Sequence, residues 1–194
     1  MSIKSLAVFC GSKSGNNPLY IEHAKQLGKL LAEKNITLIY GGSSKGIMGA
    51  VANAVLERNG KAIGIIPKVL TEWEHQHLGL TELHEVADMH VSKELIYSKC
   101  GVASMLPGGY GTLDEFFEML TWNQLSIHDK KIFVLNSGGF YDHLILHLKK
   151  MEEENFLYDK ILDRLTSDKE VGELRRSEGR SGGKEGRAGG WRGG

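Results

Sequence analysis

Two hydrophobic periods take turns along most of the chain. Short continuous apolar runs fall at 6–10, 36–40, 61–67, 102–106 and 131–135. Runs of that length, flanked by turn residues, read as parallel strands covered on both faces. Between them apolar residues recur every three or four positions, as buried helix stripes do. Pro18 opens the first such stripe, Ile21, Ala24, Leu27, Leu30 and Leu31, over 18–34. Ile47, Met48, Val51, Ala54 and Val55 form the second. Further helices are predicted over 91–99, from 113 onward (Leu113, Phe116, Phe117, Leu120) and over 141–154, with a weaker stretch through 157–165. The segment 69–86 has no clean period and reads as a solvated loop. Strand and helix alternating in this way predict an α/β fold, Rossmann-like, with a mostly parallel sheet and helices on both faces.

Composition narrows the picture at three points. The chain has 194 residues, 41% of them hydrophobic, enough for one domain with one core. Acidic and basic residues balance at 24 each, so charge supports neither a nucleic acid nor a membrane surface as partner. No apolar run approaches the ~20 residues of a membrane span, and the apolar run near the N-terminus reads as a first strand rather than a signal peptide. Cys10 and Cys100 lack metal-ligand spacing and are expected to be reduced and buried, as in a cytoplasmic protein. From Thr166 the composition shifts to nine glycines, seven Lys or Arg and five Asp or Glu. The expectation is a domain over 1–165 and a disordered Gly/Arg-rich tail over 166–194, its mixed charge arguing against RNA binding.

Chemistry concentrates at 106–120, LPGGYGTLDEFFEML. A glycine turn between a strand and a helix start leaves backbone N–H groups and the positive end of the helix dipole free for an anion. Asp114 and Glu115 follow at once, and Glu118 could share their face. A carboxylate is the wrong charge for holding phosphate, so one of them should serve another part of the ligand. A second strand, glycine turn and helix unit carries Gly42 and Ser43, without the spacing of a P-loop or dinucleotide fingerprint. The loop after the first strand puts Ser12, Lys13 and Ser14 where open α/β sheets bind ligands. His75 with His77, and His143 with His147, lack a third ligand or a flanking Glu, so no metal site is predicted.

The string P-G-G-x-G-T-x-x-E from Pro107 to Glu115 resembles the signature of the LOG (Lonely Guy) family, cytokinin riboside 5′-monophosphate phosphoribohydrolases once labelled lysine decarboxylase-like. Cys10-Gly11-Ser12, GGSSKGIMG at 41–49, Asp88-Met89-His90 and TWNQLSIHDK at 121–130 extend the resemblance over roughly 6–165. It implies hydrolysis of the N-glycosidic bond of a nucleoside 5′-monophosphate, AMP or an N6-substituted AMP, to free base and ribose 5-phosphate. Glu115 would be the catalytic carboxylate, and Gly108, Gly109, Gly111 and Thr112 the phosphate cradle. Tyr110, Leu113 and Asp114 would line the substrate beside them, Asp114 standing where Glu is usual. Met89, Ser92, Lys93, Glu74 and Thr121 match further substrate positions. No cofactor is implied. A homodimer or larger homo-oligomer is, with sites near the subunit interface.

One departure bears on activity. The family pattern Met-His-x-Arg-Lys is here Met89-His90-Val91-Ser92-Lys93, so Ser92 takes the arginine's place and leaves Lys93 as the nearest cation. Serine cannot give a bidentate guanidinium contact. Its bland role would be to cap the helix at 91–99. Gly101, Ala103 and Ser104 also thin the strand beneath the turn, and Arg58 and Arg164 are the only arginines before Thr166. The sequence thus points to a phosphoribohydrolase with weakened activity, or alternatively to a nucleotide-binding protein of the same fold with little turnover. Lysine decarboxylation is rejected, because no Schiff-base lysine stands with an acidic partner for pyridoxal phosphate.

Overall fold

A computed structural model describes residues 3–70, 76–158 and 160–171. Its strands are β1 (Ser5–Phe9), β2 (Thr37–Tyr40), β3 (Ala62–Pro67), β4 (Glu82–Val86), β5 (Val102–Met105), β6 (Ile132–Leu135) and β7 (Leu165–Asp168). They form one sheet in the order β4-β3-β2-β1-β5-β6-β7, every pair parallel. The helices are α1 (Pro18–Glu33), α2 (Gly46–Leu56), α3 (Met89–Lys99), α4 (Tyr110–Gln124), α5 (Asp142–Glu153) and the single turn α6 (Ile161–Arg164). The Rossmann-like reading holds.

The period-2 geometry of a strand sorts the core into two layers. Along β1, Leu6 and Val8 join a cluster with Leu27, Leu31, Val51 and Val55 of α1 and α2. Ala7 and Phe9, alternating with them, face the opposite layer with Ile96, Tyr97, Phe116 and Met119 of α3 and α4. Burial on both faces is why β1, β2, β5 and β6 are legible as continuous apolar runs.

The two edge strands depart from expectation. β4 lies inside the stretch read as a solvated loop, yet pairs with β3 from Ile63↔Glu82 to Pro67↔Val86. β7 carries Thr166, Ser167 and Asp168 into the sheet beside β6, and Val171 beyond it is 5% exposed in the core. The predicted boundary after 165 is therefore too early, since 166–171 belong to the folded body. Both strands are polar because an edge strand has one paired neighbour and faces solvent, so the ladder holds it rather than an apolar run. Residues 172–194 of the predicted tail lie outside the described residues.

Two helices begin earlier than predicted. α4 starts at Tyr110, so Gly111 and Thr112 stand in its first turn, not in the loop before it. α3 starts at Met89 and is capped by Asp88, whose carboxylate accepts from the N–H groups of His90 (2.8 Å) and Val91 (3.0 Å). Ser92 is thus no cap. It lies within α3, 4% exposed.

Candidate active site

From β1 the chain crosses through α1 to β2 on one side, and from β5 through α4 to β6 on the other. The carboxyl ends of β1 and β5 therefore flank the point where strand order reverses, the usual ligand crevice of an open α/β sheet. A cleft of about 610 Å³ opens there.

The turn before α4 and the first turn of that helix together supply one wall, from Pro107 to Thr112. Gly109 caps the helix with no side-chain hydrogen bond, so first-turn N–H groups point outward without a capping side chain. Gly108 is required by close approach: a Cβ there would lie 2.1 Å from Thr112 Oγ1. The loop after β1 meets this turn directly, the Gly11 N–H donating to Pro107 O at 3.0 Å. The N–H groups of Ile47 and Met48, opening α2, donate to Gly11 O at 3.1 and 3.2 Å. Cys10, Gly11, Ser12 and Lys13 line the cleft from that loop, Met89 and Ser92 from α3, and Tyr20, Ile65 and Phe140 complete an apolar side.

Glu115 reaches the cleft from the second turn of α4. Its neighbours turn away. Asp114 and Glu118, one helical turn apart, clamp Lys93 of α3, with Nζ 2.7 Å from Asp114 Oδ2 and 3.3 Å from Glu118 Oε2. Tyr97 donates its hydroxyl to Glu118 at 2.9 Å and to the backbone carbonyl of Glu115 at 3.1 Å. Burial, then the hydrogen bond to Glu118 and the charges of Glu118, Glu115 and Asp114, push the Tyr97 phenol far up. Burial alone would lower the Lys93 ammonium, but the hydrogen bonds and charges of Asp114 and Glu118 outweigh it and leave it raised.

Of the residues singled out in the sequence, Met89, Ser92, Gly108, Gly109, Tyr110, Gly111, Thr112 and Glu115 meet in the cleft. Lys93, Leu113, Asp114, Thr121, Gly42 and Ser43 do not line it. Lys93 is engaged by the two carboxylates rather than presented to a ligand. Ser43 is fully buried, accepting from the Lys45 N–H at 3.2 Å. Thr121 is exposed at the far end of α4 and donates to Phe117 O at 2.7 Å. Glu74 lies outside the described residues. Sequence reading passed over Tyr20 and Phe140, which carry no motif and reach the cleft only through α1 and the loop after β6.

A family model described as "Possible lysine decarboxylase" matches residues 48–176. LOG6 of Arabidopsis thaliana, a "probable cytokinin riboside 5′-monophosphate phosphoribohydrolase", is 46% identical over 154 residues, 79% of this chain and 77% of that protein. The cytokinin riboside 5′-monophosphate phosphoribohydrolase of Rhodococcoides fascians is 41% identical over 155 residues, 79% of this chain and 78% of its own. Among solved structures, the molybdenum cofactor binding protein of Rippkaea orientalis superposes with a TM-score of 0.67 at 19% identity, over 92% of this chain and 98% of that one. The Moco carrier protein of Chlamydomonas reinhardtii gives 0.68 at 17%, over 92% and 97%. Those structures share the fold. At 41–46% identity over four-fifths of its length, this chain belongs to the family of the cytokinin riboside 5′-monophosphate phosphoribohydrolases.

Proposed function

We propose that the chain hydrolyses the N-glycosidic bond of a nucleoside 5′-monophosphate, AMP or an N6-substituted AMP, to free base and ribose 5-phosphate. The observation that carries this reading is Glu115 in the same cleft as the uncapped N-terminus of α4. A phosphate against the N–H groups of that helix end fixes one end of the substrate. As the base leaves, the ribose gains oxocarbenium character, and the Glu115 carboxylate stabilises it or takes a proton from the attacking water. The water oxygen bonds to the anomeric carbon, and the bond electrons and a proton go to the base. The relatives' names supply the substrate class.

Incubation with AMP and isopentenyl-AMP, with chromatographic detection of free base, tests the reading. Glu115→Gln should cut base release by on the order of 10² while AMP binding survives. Ser92, in a cleft that holds no arginine among its described lining residues, favours the second reading of a nucleotide binder with little turnover. AMP binding without base release would select it. Decarboxylation through a lysine Schiff base needs an amine held neutral, and Lys93 is shifted the opposite way. The reading carries with it a homodimer or larger homo-oligomer, measurable by sedimentation, and a cytoplasmic location, consistent with two buried free thiols.

A further inference from the structure

We propose that Lys13 is the counter-ion of the substrate's 5′-phosphate, the task that falls to it in a cleft with no guanidinium among its described lining residues. The inference rests on the nucleotide reading above. Among the described residues lining the cleft, Lys13 is the one basic side chain and Glu115 the one acidic side chain. The other candidates are committed elsewhere. Lys93 is 8% exposed between Asp114 and Glu118. Arg58 pairs with Glu33 at 2.8 Å, and Arg164 donates to Asn123. Lys45, at the cap of α2, does not line the cleft.

The backbone beneath Lys13 is held from two sides. Through Gly11 its loop bonds to Pro107, and a Cβ on Gly11 would come within 3.4 Å of the Gly108 Cα, so the loop abuts the glycine turn itself. On the other side Gly46, at φ +55°, lies so close that a Cβ would stand 2.4 Å from Ser12 C and 2.6 Å from Lys13 N. Only glycine accepts both that conformation and that approach. Lys13 is therefore anchored beside the glycine turn that opens α4, an exposed residue on the lining of the same cleft. An ammonium on a flexible stem acts as a point charge, which a phosphate dianion accepts without the fixed fork an arginine would need. A phosphate at the helix N-terminus would then have the Lys13 ammonium and the helix N–H groups in the same cleft.

Calorimetric titration of AMP, ribose 5-phosphate and adenosine into wild type, Lys13→Ala, Lys13→Arg and Lys45→Ala tests this. Lys13→Ala should raise Kd for AMP and ribose 5-phosphate by about 10- to 100-fold, the range of a lost charge-assisted contact. Adenosine, without phosphate, should bind all four proteins alike. Lys13→Arg and Lys45→Ala should keep AMP affinity within about 3-fold. The proposal is overturned if Lys13→Ala changes phosphate-ligand affinity by less than about 3-fold, if adenosine weakens as much as AMP, or if wild type binds neither phosphate ligand. A wild type that binds AMP through Lys13 yet releases no base would refute the hydrolase and keep the counter-ion. Hydrolysis with AMP affinity indifferent to Lys13 would do the reverse.

Discussion

Lys93 offers a sharp test of how the candidate site is held. Lys93→Met keeps the apolar stem and removes the ammonium from between Asp114 and Glu118. Coulomb's law at an effective dielectric near 20 gives about 5 kcal/mol for the Glu118 pair at 3.3 Å, before desolvation. Desolvating the ammonium offsets more than half of that. The Asp114 side chain is 57% exposed, so its 2.7 Å contact adds under ~1 kcal/mol. The net loss is then roughly 2–3 kcal/mol, or about 4–12 °C in Tm for a chain of this size. Part of it is repulsion among Asp114, Glu118 and Glu115, so Lys93→Met combined with Asp114→Asn and Glu118→Gln should recover most of the melting temperature. Lys93→Arg should recover less than half, because a planar fork does not fit the same slot. The sign with pH follows from the raised ammonium. Its stabilising effect is complete below the ordinary lysine value and is lost as pH rises through the higher folded one. Thermal melts by circular dichroism at pH 7.5 are sufficient. A Lys93→Met protein melting within a degree of wild type would refute the view that this ion pair organises α3 against α4.

Three further outcomes can be measured alongside. Ser92 lines the cleft, so a guanidinium that Ser92→Arg carries into it should raise kcat/KM on AMP by about 30- to 1000-fold, a transition-state contact of roughly 2–4 kcal/mol; an unchanged or lower kcat/KM would mean the position does not limit the reaction. Ser104 is buried with its hydroxyl unpartnered among the described residues, beside a cavity of about 30 Å³. Ser104→Ala should therefore raise Tm by about 2–4 °C, through relief of ~1 kcal/mol of uncompensated desolvation, and a fall in Tm would show that the hydroxyl is satisfied. Burial lowers His77, whose Nδ1 accepts from the Gly79 N–H (3.1 Å) and whose Nε2 meets Asn53 Oδ1 (2.9 Å). Burial and then the Lys130 charge lower His128, Arg164 adding to them and Asp129 opposing. A histidine lowered in the fold binds its proton more readily when unfolded, so stability should drop as pH falls through about 6.5, and His77→Gln should flatten that slope in melts from pH 7.5 to 5.

Much of this protein is decided locally. The five interior strands and the stripes of α1 and α2 follow from side chains that must all be apolar, or apolar on one side, wherever helices cover the sheet. The glycine turn at 107–112 and the carboxylate at Glu115 are equally local, since strand, turn and helix start are contiguous and the anion-binding geometry needs no distant residue. What neighbours far along the chain supply could not be seen that way. Glu82–Val86 and Leu165–Asp168 are strands because β3 and β6 offer them hydrogen-bonding edges, while their own polar residues report solvent on the outside. Asp88 rather than Ser92 caps α3, because the helix begins where backbone donors find a carboxylate, two residues ahead of the predicted start at 91. The roles of the cations were decided last and by the fold alone. Lys93 is withdrawn and Lys13 presented because α3 delivers one against Asp114 and Glu118, whereas the β1 loop delivers the other beside the glycine turn. A lysine's charge is written in the sequence, but the groups it meets are set by packing between segments that only the folded sheet brings together.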